Sequence, residues 1–123
     1  MEILLSFHRT NAYAAMAWML VCAVMGLLRH HRGYSTLGRL YGAALTVGAI
    51  QIGLQSLVGL VLFVAGLRPA DLLHVLLYGM LAPVLLPATY VYYLRRAKSR
   101  GNLVFGVAAL FLAAFLLRAT FTA

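Results

Sequence analysis

Acidic residues are almost absent from this chain. Glu2 and Asp71 are the only two in 123 residues, against ten lysines and arginines. Neither lies midway along an apolar stretch. A small four-helix pump that exchanges protons for cations needs a carboxylate inside the bilayer, and a cation channel needs charged rings; both classes are therefore discounted. Cysteine is nearly absent too. Cys22 stands alone among apolar neighbours and reads as a small packing residue. No disulfide framework and no Cys-x-x-Cys-His attachment for a c-type haem can be drawn, and no nucleophile with a histidine and an orienting acid is in view. Charge of any sign is scarce: 10% of residues are charged and 64% are hydrophobic, where soluble domains carry about 25% and about 45–50%. So apolar a composition excludes disorder and exceeds what a water-soluble globule of this length can bury. What remains is an integral membrane protein with a single domain, residues 1–123.

Four stretches approach the roughly 20 apolar residues that a helix needs to cross a bilayer. They are 11–28 (with an earlier start at Ile3 left open), 40–67, 71–94 and 103–120, the last reaching full length if Arg118 snorkels outward. Apolar residues run on continuously instead of alternating, which argues against a barrel. The fold expected is all-α, an integral membrane four-helix bundle. Its connections are 29–35, 66–71 with Asp71 as a helix cap, and 95–102. The N-terminus does not read as a cleavable signal, because Glu2 sits where a basic residue would be. One side of the bundle receives Arg29, Arg32, Arg39, Arg95, Arg96, Lys98 and Arg100; the other receives Arg9, Arg68, Arg118 and both acids. The positive-inside rule puts the first set in the cytoplasm and both termini on the outer side, as in a prokaryotic plasma membrane. Tyr34, Tyr41, Tyr90, Tyr92 and Tyr93 cluster near the basic side as an interfacial belt. The net charge of +8 is thus a matter of topology and anionic lipid, with the lipid bilayer and no nucleic acid as partner.

Polar residues within the spans are few. Gln51 and Gln55 are four apart and share a helix face, with Gly48 and Gly59 close to it. Two readings stand side by side: interhelical packing with amide hydrogen bonds, or close approach of a flat cofactor. His30 and His31 sit among arginines and read as a solvated basic patch. His8 and His74 differ. Each lies 21 residues before an arginine, Arg29 or Arg95, that marks the cytoplasmic end of its span. A continuous helix would put each about 31 Å from that end, so both imidazoles belong at one depth near the outer surface. Two such histidines from different helices of a bundle can clamp a haem iron. The haem b plane would stand along the membrane normal, its propionates met by Arg9, Arg68 and Arg118. Two plainer readings stay open: both histidines as interfacial polar residues, and Thr10-Asn11 capping the first helix so that His8 lies in an N-terminal arm. Pro83 and Pro87 should bend the third span. The bend either opens a pocket beside His74, Tyr78 and Leu81 or is an ordinary kink.

Certain residues follow a particular order: Phe7-His8-Arg9 at the first span, Gln55-Ser56-Leu57-Val58-Gly59 running on to Gly66-Leu67 at the end of the second, and Leu73-His74 opening the third. This order resembles one four-helix half of the haem A synthase family across spans one to three. The resemblance implies that His8 and His74 are axial haem ligands and that Gln55 and Gly59 line the site. The chain departs from the family in two ways. It has four spans where the synthase has eight, which a homodimer would restore. It also has Leu4-Leu5-Ser6 where the synthase carries a glutamate on the turn before its first histidine. Oxidation of a haem methyl is therefore not expected. The expectation is a stand-alone b-type cytochrome for electron transfer or haem handling. The alternative is a cofactor-free accessory or assembly subunit of a larger membrane complex.

Overall fold

Helices that are apolar on every side cannot be arranged by one hydrophobic stripe; small residues and a few polar bonds must do it. The computed structural model describes the backbone of residues 2–34, 37–66, 79–96 and 98–122. Among the described residues there are four α-helices: α1 (Glu2–His31), α2 (Arg39–Val64), α3 (Ala82–Arg96) and α4 (Gly101–Thr122), the last entered through a 3₁₀ turn at Lys98–Arg100. Among the described residues there is no strand. Glu2–His31, Arg39–Val64 and Lys98–Ala119 are each long and apolar enough to cross a membrane. Of the third expected span only the part from Gly79 onward is described. Arg68, Asp71, His74 and Tyr78 lie outside the described residues.

The helices form a ring in which α1 packs on α2 and α4, and α3 packs on the same two. One core cluster draws on all four, with Met19 and Cys22 from α1, Tyr41 and Ile52 from α2, Leu86 from α3, and Phe105 and Leu112 from α4. The buried positions of α2 (Tyr41, Leu45, Gly48, Ile52, Gln55, Val58, Leu62) repeat every three or four residues, the spacing of one helix face. The outward positions, such as Ile50, Leu54, Leu57 and Val61, are equally apolar.

The α1–α4 seam is the closest. A Cβ on Gly26 would lie 2.8 Å from the Asn102 carbonyl oxygen and 2.8 Å from Gly106 Cα. A Cβ on Gly106 would lie 3.0 Å from the Leu27 nitrogen. The two backbones touch there because neither residue has a side chain, and Ala15, Ala23, Ala109 and Ala113 continue the small-residue contact, all buried.

Asn102 was expected in a loop but is 1% exposed at the start of α4. Its Oδ1 accepts from Arg29 Nε at 3.1 Å, and its Nδ2 donates to the Tyr34 carbonyl at 2.8 Å. The Arg29 guanidinium also lies 4.9 Å from the Tyr34 ring centroid, a cation–π contact. Gly38, at φ 82°, precedes α2. A Cβ there would stand 2.7 Å from an Arg29 guanidinium nitrogen, so both backbone conformation and space call for glycine. The tyrosines of the basic end differ in exposure. Tyr34, Tyr90 and Tyr92 are exposed, but Tyr41 is 1% exposed. A phenol can be buried so deeply only with a partner, and its hydroxyl donates to the Cys22 carbonyl at 2.8 Å.

Both prolines of the third span lie in α3, Pro83 in its first turn and Pro87 within it. Pro83 and Pro87 cannot donate to the carbonyls one turn before them. The chain passes through a wide π-type turn at 79–81 immediately before α3 begins, a common way to absorb such a break. A cleft of about 380 Å³ lies beside Pro87, lined by Leu37, Gly42, Thr46, Leu86, Pro87 and Tyr90 among others. These residues place it toward the basic end of the bundle, away from His8.

Candidate functional site

α1 runs unbroken from Glu2 to His31. Asn11 is therefore no helix cap, and His8 belongs to the helix, not to an arm ahead of it. The reason is tertiary: the Asn11 side chain is bonded to the neighbouring helix. Its Nδ2 donates to the Gln51 backbone carbonyl at 3.2 Å and to Gln55 Oε1 at 2.9 Å. Its Oδ1 accepts from Gln51 Nε2 at 3.2 Å. Gln55 Nε2 in turn stands 3.4 Å from His8 Nε2. His8, Asn11, Gln51 and Gln55 thus form one polar cluster in the α1–α2 seam. Asn11 and Gln55 are each only 9% exposed, so in an apolar setting their amides need these partners.

Gly59 completes the cluster. A Cβ there would sit 3.0 Å from His8 Cε1 and 3.6 Å from Nε2, so the ring lies against bare α2 backbone. Gly48 serves the same purpose lower down, receiving Met19 and Trp18. Trp18 Nε1 donates to the Ala44 carbonyl at 2.8 Å. The Gln51/Gln55 face therefore makes amide bonds across helices, and it also carries a glycine against which a flat ring rests; that ring is the protein's own imidazole. A Gly59→Ala change should push His8 aside by a few tenths of an ångström. It should be visible as a displaced His8 Cε1–H resonance, and an unmoved resonance would place the ring elsewhere.

Of the residues expected at the site, the structure brings together His8, Gln55 and Gly59. Arg9 follows His8 on α1 and is exposed. Arg118 is also exposed, but its level differs from the expected one. Gly26 meets Gly106 and Arg29 meets Asn102, so the antiparallel register of α1 and α4 sets Arg118 level with Tyr13 and Ala14. It stands about 8 Å further toward the basic end than His8, and its guanidinium reaches the outer level only by extending along the helix. His74, Arg68 and Tyr78 lie outside the described residues. His30 and His31 are exposed at the far end of α1, as a basic surface patch should be.

Asn11 is the member of the cluster that the sequence reading missed. The available signal was its spacing, three residues after His8 on the same helix face. Among the described residues no three His, Cys, Asp or Glu side chains gather in one place; an iron carried by a porphyrin asks for only two imidazoles. No protein-family model, curated protein or solved structure matches this chain.

Proposed function

We propose that the chain is a small integral membrane cytochrome that holds haem b between His8 and His74 near its outer surface, for electron transfer or haem handling. The observation that carries this reading is the setting of His8: within a membrane-length helix, its ring against the bare backbone at Gly59 and its Nε2 beside the Gln55 amide. The donor is suited to the group. Imidazole nitrogen binds haem iron, and two such ligands would favour electron transfer over oxygen binding. The Gln55 contact to Nε2, at 3.4 Å, is long enough to be given up at small cost when that nitrogen takes a ligand. When bound, haem supplies a one-electron couple; the chain supplies ligation, an apolar surround and cations at the outer level. Arg9 and Arg68 are the cations that would meet the propionates, and Arg118 would have to reach toward them. The basic ends of α1, α2 and α3 face the cytoplasm of a prokaryotic cell under the positive-inside rule.

The test is a visible spectrum of the protein purified in mild detergent from haem-replete cells. A Soret band with sharp reduced α and β bands is expected; a colourless preparation would sink the proposal. His74→Ala should abolish the low-spin bands while the protein still inserts. Arg68→Gln should weaken haem retention more than Lys98→Gln, and equal effects would remove the propionate assignment.

The accessory-subunit reading has one observation in its favour. A Cβ added at Gly42 or Gly53 of α2 would meet no atom of the described residues within 4 Å, leaving room for another helix to approach closely. The same spectrum separates the two readings.

A further inference from the structure

Amide groups can be turned end for end, and a neutral imidazole can carry its proton on either nitrogen. In the α1–α2 seam one group cannot be turned, the Gln51 backbone carbonyl, which only accepts. Asn11 must therefore present its NH₂ to it at 3.2 Å. The same NH₂ faces Gln55 at 2.9 Å, so Gln55 presents its oxygen there. The Gln55 NH₂ is then the end that meets His8, 3.4 Å from Nε2. Two donors cannot share a hydrogen bond, so this contact favours Nε2 as the accepting nitrogen and the ring proton on the buried Nδ1. Gln51 Nε2, donating to Asn11 Oδ1 at 3.2 Å, holds the other end of the Asn11 amide.

We infer that Asn11, Gln51 and Gln55 are positioning residues that bias His8 toward one neutral tautomer, Nδ1–H with an Nε2 lone pair, preset to bind a metal-borne Lewis acid. The information runs about one helical turn, from a backbone carbonyl through two side-chain amides to the ligating atom. The second ring nitrogen of a metal-binding histidine ordinarily sets the tautomer; here the setting comes through the ligating nitrogen's own side. The use of this tautomer for haem rests on the cytochrome reading, but the tautomer itself does not.

The experiment is nitrogen NMR on the full chain, ¹⁵N-histidine labelled, made without a haem supply and held in lipid nanodiscs. The His8 signals are identified by their loss in His8→Ala. In the ligand-free wild type, Nδ1 should carry the proton and Nε2 should show the shift of an unprotonated nitrogen. Gln55→Leu and Asn11→Ala should each give a mixture of both tautomers, with helix content unchanged by circular dichroism. A wild-type proton on Nε2, or a single Nδ1–H form persisting in both variants, would overturn the relay. A colourless protein whose His8 is Nδ1–H ends the cytochrome reading and leaves the relay standing. A haem-binding protein whose ligand-free His8 is Nε2–H does the reverse.

Discussion

His8→Ala protein, purified from haem-replete cells, is expected to lack the sharp reduced α and β bands altogether. His30→Ala and His31→Ala should keep them in full. The contrast follows from placement. His8 is half-buried against Gly59 and Gln55, whereas His30 and His31 are exposed at the opposite end of the same helix. Under the proposed ligation, loss of the imidazole would leave the iron with a single strong ligand, which does not keep a low-spin spectrum. The change should leave the bundle intact. The His8–Gln55 contact is long, and a hydrogen bond between membrane helices is worth about 0.6 kcal/mol on average and seldom much over 1.5. Loss of colour together with unchanged helix content is therefore the expected pair of results. Bands that survive His8→Ala would mean that the iron is held elsewhere.

Gly26→Ala should be the most destabilising single-methyl change at any glycine of the described residues. The added carbon would meet the Asn102 carbonyl and Gly106 Cα at 2.8 Å each, and the Tyr41 hydroxyl as well. Backbone cannot step aside as a flexible side chain can, so α1 and α4 must move apart. Overpacking of this kind costs typically 1–3 kcal/mol, and this site belongs at about 3 or above. Widening the seam would also stretch the Arg29–Asn102 bond and the buried Tyr41–Cys22 bond beside it. Gly53→Ala is the matched control: its Cβ would meet nothing, and alanine is favoured over glycine in a helix by about 0.8–1 kcal/mol. Detergent-denaturation midpoints should therefore shift in opposite directions. Equal shifts would mean that α1 and α4 do not touch at these glycines.

Much of the architecture was legible in the residues. Continuous apolar runs with basic breaks gave four helices in the right order, and Gln51 and Gln55 were correctly placed on one face. What was not legible depended on how the helices meet. Asn11 looks like a helix cap until α2 is brought beside it. Asn102 looks like a loop residue until Arg29 and Tyr34 fold over it. Tyr41 looks interfacial until its hydroxyl finds the Cys22 carbonyl. In each case a polar side chain is buried because a partner from another helix satisfies it, and no local pattern names that partner. The level of Arg118 was hidden for a related reason, since it follows from the Gly26–Gly106 register and not from the length of α4.

The polar bonds between α1 and α2 have a consequence for the order of assembly. Asn11, Trp18 and Tyr41 each tie a side chain to the backbone of the other helix, at three heights along the pair. A slide of one helical turn, about 5.4 Å, would break all three at once, so the hairpin has a single resting alignment. Every group in those bonds, and every member of the His8 relay, is encoded before residue 67. Chains are made and begin to fold from the N-terminus. The first hairpin can therefore lock its alignment while the rest of the protein is still being synthesised, and the later helices dock onto a seam that is already set.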